Sequence, residues 1–231
     1  MQNDARMRHP EPTAQTLVER YALPPDEIER RSLAYVEHAL DSRFTDPRER
    51  QVAGRVCYAA GDLSLAESLR FTPGAVAIGV QALQRSCVLC VDVRMVAAGL
   101  DARRLERLGC QVICAIEAPE AAARARESGL PRAVEAMRLV AAHLDGAICT
   151  IGNAPTALLA LLDLIDAGVA RPALIVGMPV GFVAAAEAKA ELARRSIPSI
   201  TLAGTRGGSS LAAAAVNALL RLACPTLGEE P

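Results

Sequence analysis

Short, nearly continuous apolar runs alternate with longer Ala/Leu-rich segments of helical spacing over the last two thirds of this sequence. The apolar runs lie at 87–93, 110–116, 147–151, 173–176 and 199–202. They lack the apolar–polar alternation of a half-exposed strand, so they read as strands covered on both faces. The segments between them, at 101–108, 119–128, 131–144, 155–167, 182–195 and 209–222, read as helices, with Gly109 and Gly168 as C-terminal caps. Strands separated by helices predict an α/β single-domain three-layer fold. Its five-stranded, mainly parallel sheet would carry helices on both faces.

Three further helices precede this region. Pro24-Pro25-Asp26 starts one that runs to about residue 40, with Ile28, Tyr35, Val36 and Leu40 as its apolar positions. Thr45-Asp46-Pro47 starts the second, which carries Val52, Val56 and Ala59 inward and ends at Gly61. On another face of that helix Gln51, Arg55, Tyr58 and Asp62 line up at helical intervals. A Ser/Thr/Pro-containing segment, 64–73, leads to an apolar helix at 75–84. With no repeat and no linker, the expectation is one domain over 24–224, between a flexible N-terminal tail (1–23) and a C-terminal tail (225–231).

Composition narrows the function classes. The 231 residues are 52% apolar and 22% charged with a net charge of −1, an ordinary globular balance. That balance gives no footprint for nucleic acid or an acidic membrane. No apolar run reaches the roughly 20 residues of a membrane helix, and residues 1–12 lack a signal-peptide core, so a cytoplasmic location is expected. Seven cysteines raise metal and disulfide readings. Cys87 and Cys90 would point to opposite faces of one strand, and Cys110 and Cys114 would stand roughly 13 Å apart. Reduced thiols and no metal site are expected.

The candidate chemistry lies where strands end. Gly152-Asn153-Ala154-Pro155-Thr156-Ala157 and Gly177-Met178-Pro179-Val180-Gly181-Phe182-Val183 each close an apolar run and open a helix. Gly204-Thr205-Arg206-Gly207-Gly208-Ser209-Ser210 does so again. Such turns lie beyond the carboxyl ends of parallel strands, where open sheets bind ligands, and helix N-termini there favour anions. Asp92, Arg94 and Glu117 follow other strands onto the same edge. There is no G-x-S-x-G elbow, no Walker lysine and no complete G-x-G-x-x-G, and His9, His38 and His143 have no recruiting neighbours.

The two long turns, with Glu187 and Lys189 downstream, resemble the central signature of the precorrin-8X methylmutases of cobalamin biosynthesis. The resemblance runs from Arg31-Ser32 through Asp92-Val93-Arg94-Met95-Val96 and Gly129-Leu130-Pro131-Arg132 to Gly207-Gly208-Ser209, about residues 28–222. It implies an isomerase that moves a methyl group from C-11 to C-12 of a tetrapyrrole, precorrin-8X or cobalt-precorrin-8, without an external cofactor. It also implies a homodimer with substrate near the subunit interface. The family's general acid is a histidine in a Val-His-x-x-Gly segment; here the matching segment is Cys57-Tyr58-Ala59-Ala60-Gly61, so Tyr58 stands in the catalytic position. The family often has an acidic residue where Arg94 stands and a histidine where Ala98 stands. Its basic residue before Gly-Gly-Ser usually comes one place earlier than Arg206.

The resemblance assigns substrate binding to Arg31, Ser32, Asp92, Met95, Arg132, Gly152, Asn153, Ala154, Thr156, Gly177, Met178, Pro179, Gly181, Phe182, Arg206, Gly207, Gly208 and Ser209. Met95, Met178 and Phe182 would face the macrocycle. Two alternatives stay open at this point: a corrinoid-acid binder or carrier without turnover, and a partner subunit for an intact methylmutase.

Overall fold

The computed structural model describes residues 16–226. The expected tails at 1–15 and 227–231 lie outside the described residues. Within the expected N-terminal tail, α1 (Leu17–Tyr21) is opened by a reciprocal capping box between Thr16 and Glu19. Then come α2 (Pro25–Leu40), α3 (Pro47–Ala60), a 3₁₀ turn (Leu63–Glu67), β1 (Leu69–Phe71), α4 (Ala75–Gln84) and β2 (Val88–Val91). The chain continues through α5 (Arg94–Ala98), α6 (Ala102–Arg107), β3 (Gln111–Ile113), α7 (Pro119–Ser128), α8 (Arg132–Leu139) and a second 3₁₀ turn (Ala141–His143). It closes with β4 (Ile148–Ile151), α9 (Pro155–Asp166), β5 (Leu174–Gly177), α10 (Ala185–Ala193), β6 (Ser199–Leu202) and α11 (Ser209–Ala223).

The sheet has six strands rather than five, in the order β1-β6-β5-β4-β2-β3. The five expected strands are mutually parallel, and β1 adds antiparallel to β6 with Leu69 opposite Leu202. Leu69 is buried and Arg70 exposed, a strand covered on one face only, which suits an antiparallel edge. Alternate residues of the central strands feed two cores. Leu89, Val91, Ile148, Leu174 and Val176 join α3, α4 and α11 on one face. Cys90, Cys149, Ile151 and Ile175 join α8, α9 and α10 on the other.

The α2–α3 pair closes the first core, with Val36, Leu40, Val52, Ala53, Val56 and Cys57 buried. Of the positions expected to point inward, Ile28, Tyr35 and Ala59 instead face solvent. Helix α3 begins at Asp46, whose carboxylate accepts from the Arg48 N–H, and ends at Gly61, whose φ of 63° is the left-handed conformation glycine tolerates. Helix α10 starts three residues later than expected because Gly181 (φ 146°) and Ala184 (φ 63°) keep 181–184 out of the helix. All seven cysteines are free. Among the described residues, no helix is long and apolar enough to cross a membrane, and no group of three His, Cys, Asp or Glu side chains could hold a metal ion.

Candidate active site

The parallel strands deliver Asp92–Met95, Gly152–Thr156, Met178–Phe182 and Gly204–Ser209 to one edge of the sheet. Because β1 runs antiparallel, the segment that feeds it, from Tyr58 to Ser68, arrives at that same edge. There a cavity of about 380 Å³ opens between α2 and α3. It is lined by Arg31, Ser32, Tyr35, Val36, Cys57, Tyr58, Gly61, Asp62 and Leu63. Tyr58 sits on the last turn of α3, 39% exposed. A phenol there has an open path to a ligand and can donate a hydrogen bond or a proton.

Three of the residues expected at the site, Tyr58, Arg31 and Ser32, therefore share one cavity. The Arg31 guanidinium is exposed and paired with Glu27 at 2.5 Å, and the Ser32 hydroxyl donates to the Ile28 carbonyl at 2.8 Å. Arg206 joins them from 144 residues away: its guanidinium donates to the Asp62 carboxylate at 2.8 Å and to the Ser64 hydroxyl at 2.9 Å. Hydrogen bonds from Ser64, reinforced by the Arg206 charge, hold the Asp62 carboxyl below the usual carboxylate range. Arg55, on the same helix as Tyr58, turns to Glu29 and lines a separate cavity with Arg221.

The glycine turns are differently occupied from what their sequence suggested. Asp92, 3% exposed, accepts from the backbone N–H groups of Gly152, Asn153 and Ala154 at 3.0, 2.8 and 2.7 Å. Burial pushes its carboxyl up while these three donors pull it down. The N–H cradle that opens α9 thus holds the protein's own carboxylate, leaving the exposed Asn153 side chain and the half-buried Thr156 for a ligand. Met178 is fully buried in the core, with Pro179 buried beside it, so the surface this loop offers is Val180, Phe182 and Val183. Phe182 is 95% exposed and Met95, on α5, 62%.

The two later loops are stitched together. Gly181 N–H donates to Thr205 O at 3.1 Å and Gly208 N–H to Met178 O at 2.9 Å. A Cβ on Gly207 would lie 2.3 Å from Met178 O, so glycine is needed there for backbone approach. Likewise Gly152 lies against Ser209 and Val96, and Gly177 against Leu192. Ser209 opens α11 with a buried hydroxyl that has no partner among the described residues. Arg132 is exposed at the start of α8, outside the Tyr58 cavity. Sequence reasoning left six of the nine lining residues out of the site, Tyr35 and Asp62 the polar ones among them. Tyr35, read as an inward apolar position, is 70% exposed at the cavity, and Asp62 carries the Arg206 contact. The alignment of Asp62 with Tyr58 on one helical face was the available signal.

Comparison with known proteins converges on one family. A family model described as precorrin-8X methylmutase matches residues 27–222. A precorrin-8X methylmutase from Pseudomonas aeruginosa is 46% identical over 171 residues, 73% of this chain and 82% of the relative. A cobalt-precorrin-8 methylmutase from Priestia megaterium is 38% identical over 200 residues, 86% and 88% of the two chains. A solved structure of a precorrin-8X methyl mutase from Thermus thermophilus superposes with a TM-score of 0.79 at 41% identity, covering 86% of this chain and 98% of the other. On this cover and identity, the chain belongs to the precorrin-8X methylmutase family.

Proposed function

We propose that this protein is the isomerase that moves a methyl group from C-11 to C-12 of precorrin-8X or cobalt-precorrin-8 in cobalamin biosynthesis, with Tyr58 as the donor to a ring nitrogen. The observation that carries the reading is the cavity that unites Tyr58 with Arg31, Ser32 and Asp62 at the ligand-binding edge of the sheet. The reaction is an isomerisation, so the proton lent by the phenol returns to it and atoms balance. Tyrosine is a weaker acid than histidine, which favours a hydrogen bond over full transfer as its contribution.

A cavity of about 380 Å³ takes one edge of a tetrapyrrole rather than the whole ring. Phe182, Val183 and Met95 supply exposed apolar surface for the remainder. Arg31 and Arg132 offer donors for the substrate's carboxylates, and Ser32, whose hydroxyl hydrogen goes to the Ile28 carbonyl, lines the cavity beside Arg31, with Asn153 and Thr156 on the same edge. Catalysis comes mainly from holding one tautomer of the ring in place. We assign the active form as a homodimer, which sedimentation of the purified protein tests.

The deciding experiment is incubation of purified protein with precorrin-8X, followed by visible absorption, beside Tyr58→Phe and Tyr58→His. Wild-type turnover that falls about 10²–10⁴-fold in the Phe variant supports the tyrosine donor. Binding without conversion, with activity appearing only in the His variant, would make the protein a corrinoid carrier.

A further inference from the structure

Lys189 is the sole lysine of the chain and only 2% exposed. Buried ammonium groups ordinarily sit against carboxylates, yet no ion pair among the described residues includes it. Its Nζ donates instead to the carbonyl oxygen of Arg206 at 2.6 Å. The charged groups around it are otherwise engaged. Arg70 shares its cavity but turns to the carbonyls of Glu67 and Leu69. On the helices, Asp166 and Glu191 are taken by Arg195, while Asp163 and Glu187 are exposed. Strand β6 carries no charge.

We propose that Lys189 is a positioning residue for the Tyr58 cavity, acting through Arg206 and Asp62. The inference rests on the methylmutase reading. Arg206 is held at both ends: Lys189 fixes its carbonyl from α10, and Asp62, Ser64 and Ser68 fix its guanidinium at 2.8, 2.9 and 3.4 Å. Asp62 and its neighbours Gly61 and Leu63 form one wall of the cavity. Lys189 therefore links the helix after the Met178–Phe182 loop to the wall facing Tyr58, without touching the ligand. A charge-assisted bond to one carbonyl is about twice as strong as a neutral one, so the charge matters to the link. Burial lowers the Lys189 pKa to about 8, which puts loss of that charge at mildly alkaline pH.

The test measures kcat and KM for precorrin-8X from pH 6.5 to 10 in wild type, Lys189→Arg, Lys189→Met and Asp62→Asn. In wild type KM rises about fivefold as pH passes 8, with kcat less affected. Lys189→Met has a KM raised about tenfold at neutral pH and no such rise, and combining it with Asp62→Asn adds little further. Lys189→Arg keeps the neutral-pH KM and carries it unchanged to higher pH. A Lys189→Met enzyme with wild-type KM and the wild-type alkaline rise overturns the proposal. Should that variant not fold, the wild-type profile decides alone, since a KM flat through pH 8 overturns it equally. Absence of turnover in the wild type would sink the methylmutase reading instead, a result distinct from either.

Discussion

Asp92 shows how much one side chain changes the meaning of a motif. A strand, a glycine turn and a helix N-terminus read as an anion cradle, and the anion turns out to be the protein's own carboxylate. That was not legible, because β2 and β4 lie about 60 residues apart and only their pairing brings Asp92 under the turn. Asp92→Asn keeps the volume but presents an amide donor to N–H donors, leaving at least one buried group unpaired. It should cost about 1–3 kcal/mol, read as a lower urea midpoint at unchanged slope. The thiols form another prediction at this scale. Burial pushes Cys90 up to about 11 and raises Cys149, whereas a hydrogen bond from Cys87 lowers Cys110. A thiol reagent at pH 8 should modify Cys110 first and reach Cys90 and Cys149 only on unfolding, as peptide mapping would show. Cys87 and Cys110 were read separately in the sequence, each against a cysteine of its own strand. The register that sets Val88 opposite Gln111 makes them cross-strand neighbours.

Elements were legible in proportion to their length and burial. Four of the five parallel strands, β2, β4, β5 and β6, lie largely covered on both faces and read as mainly apolar runs. Strand β3, at the sheet's edge, has Gln111 exposed and Val112 and Ile113 half-buried, against the expectation that all five would be covered. Strand β1 escaped because Leu69-Arg70-Phe71 offers three residues of alternation, too few to stand out from the loop around it. Helix α5, only five residues long and starting just after β2, escaped for the same reason. Helix α3 was fixed by its ends, and Asp46→Ala should remove the cap bond to Arg48 at a cost of about 1 kcal/mol in thermal or urea unfolding. At the stitched loops, Gly207→Ala forces a Cβ against Met178 O, so the two turns must separate. The expected result is a loss of about 1–3 kcal/mol together with a raised KM. Equal stability and KM would mean that the loops are not in register as described.

At the scale of the whole molecule, the doubly wound sheet and its ligand edge follow from the order of elements, but the closure of the site does not. The Tyr58 wall comes from a segment that precedes most of the sheet, and it is tied to the last loop by the Arg206–Asp62 pair. Nothing in local pattern predicts a partner 144 residues away. The buried Lys189 beneath that loop gives the molecule a pH response of two opposing signs. Its folded value of about 8 lies below the ordinary 10.5, so between these limits the unfolded chain binds the extra proton. Stability must then rise with pH across that interval, by at most about 3 kcal/mol at about 1.4 kcal/mol per pH unit. Below pH 8 both states are charged and the folded one carries the full cost of burying the ammonium. Site organisation runs the other way, because the charged form grips the Arg206 carbonyl more strongly. Urea unfolding of wild type and Lys189→Met at pH 7.5, 9 and 10.5 separates the two effects. The wild type should gain on the variant as pH rises while its affinity for precorrin-8X falls. A stability difference that stays constant across those three pH values would mean that the Lys189 ammonium is solvated, and the cost of keeping it charged would then lie elsewhere.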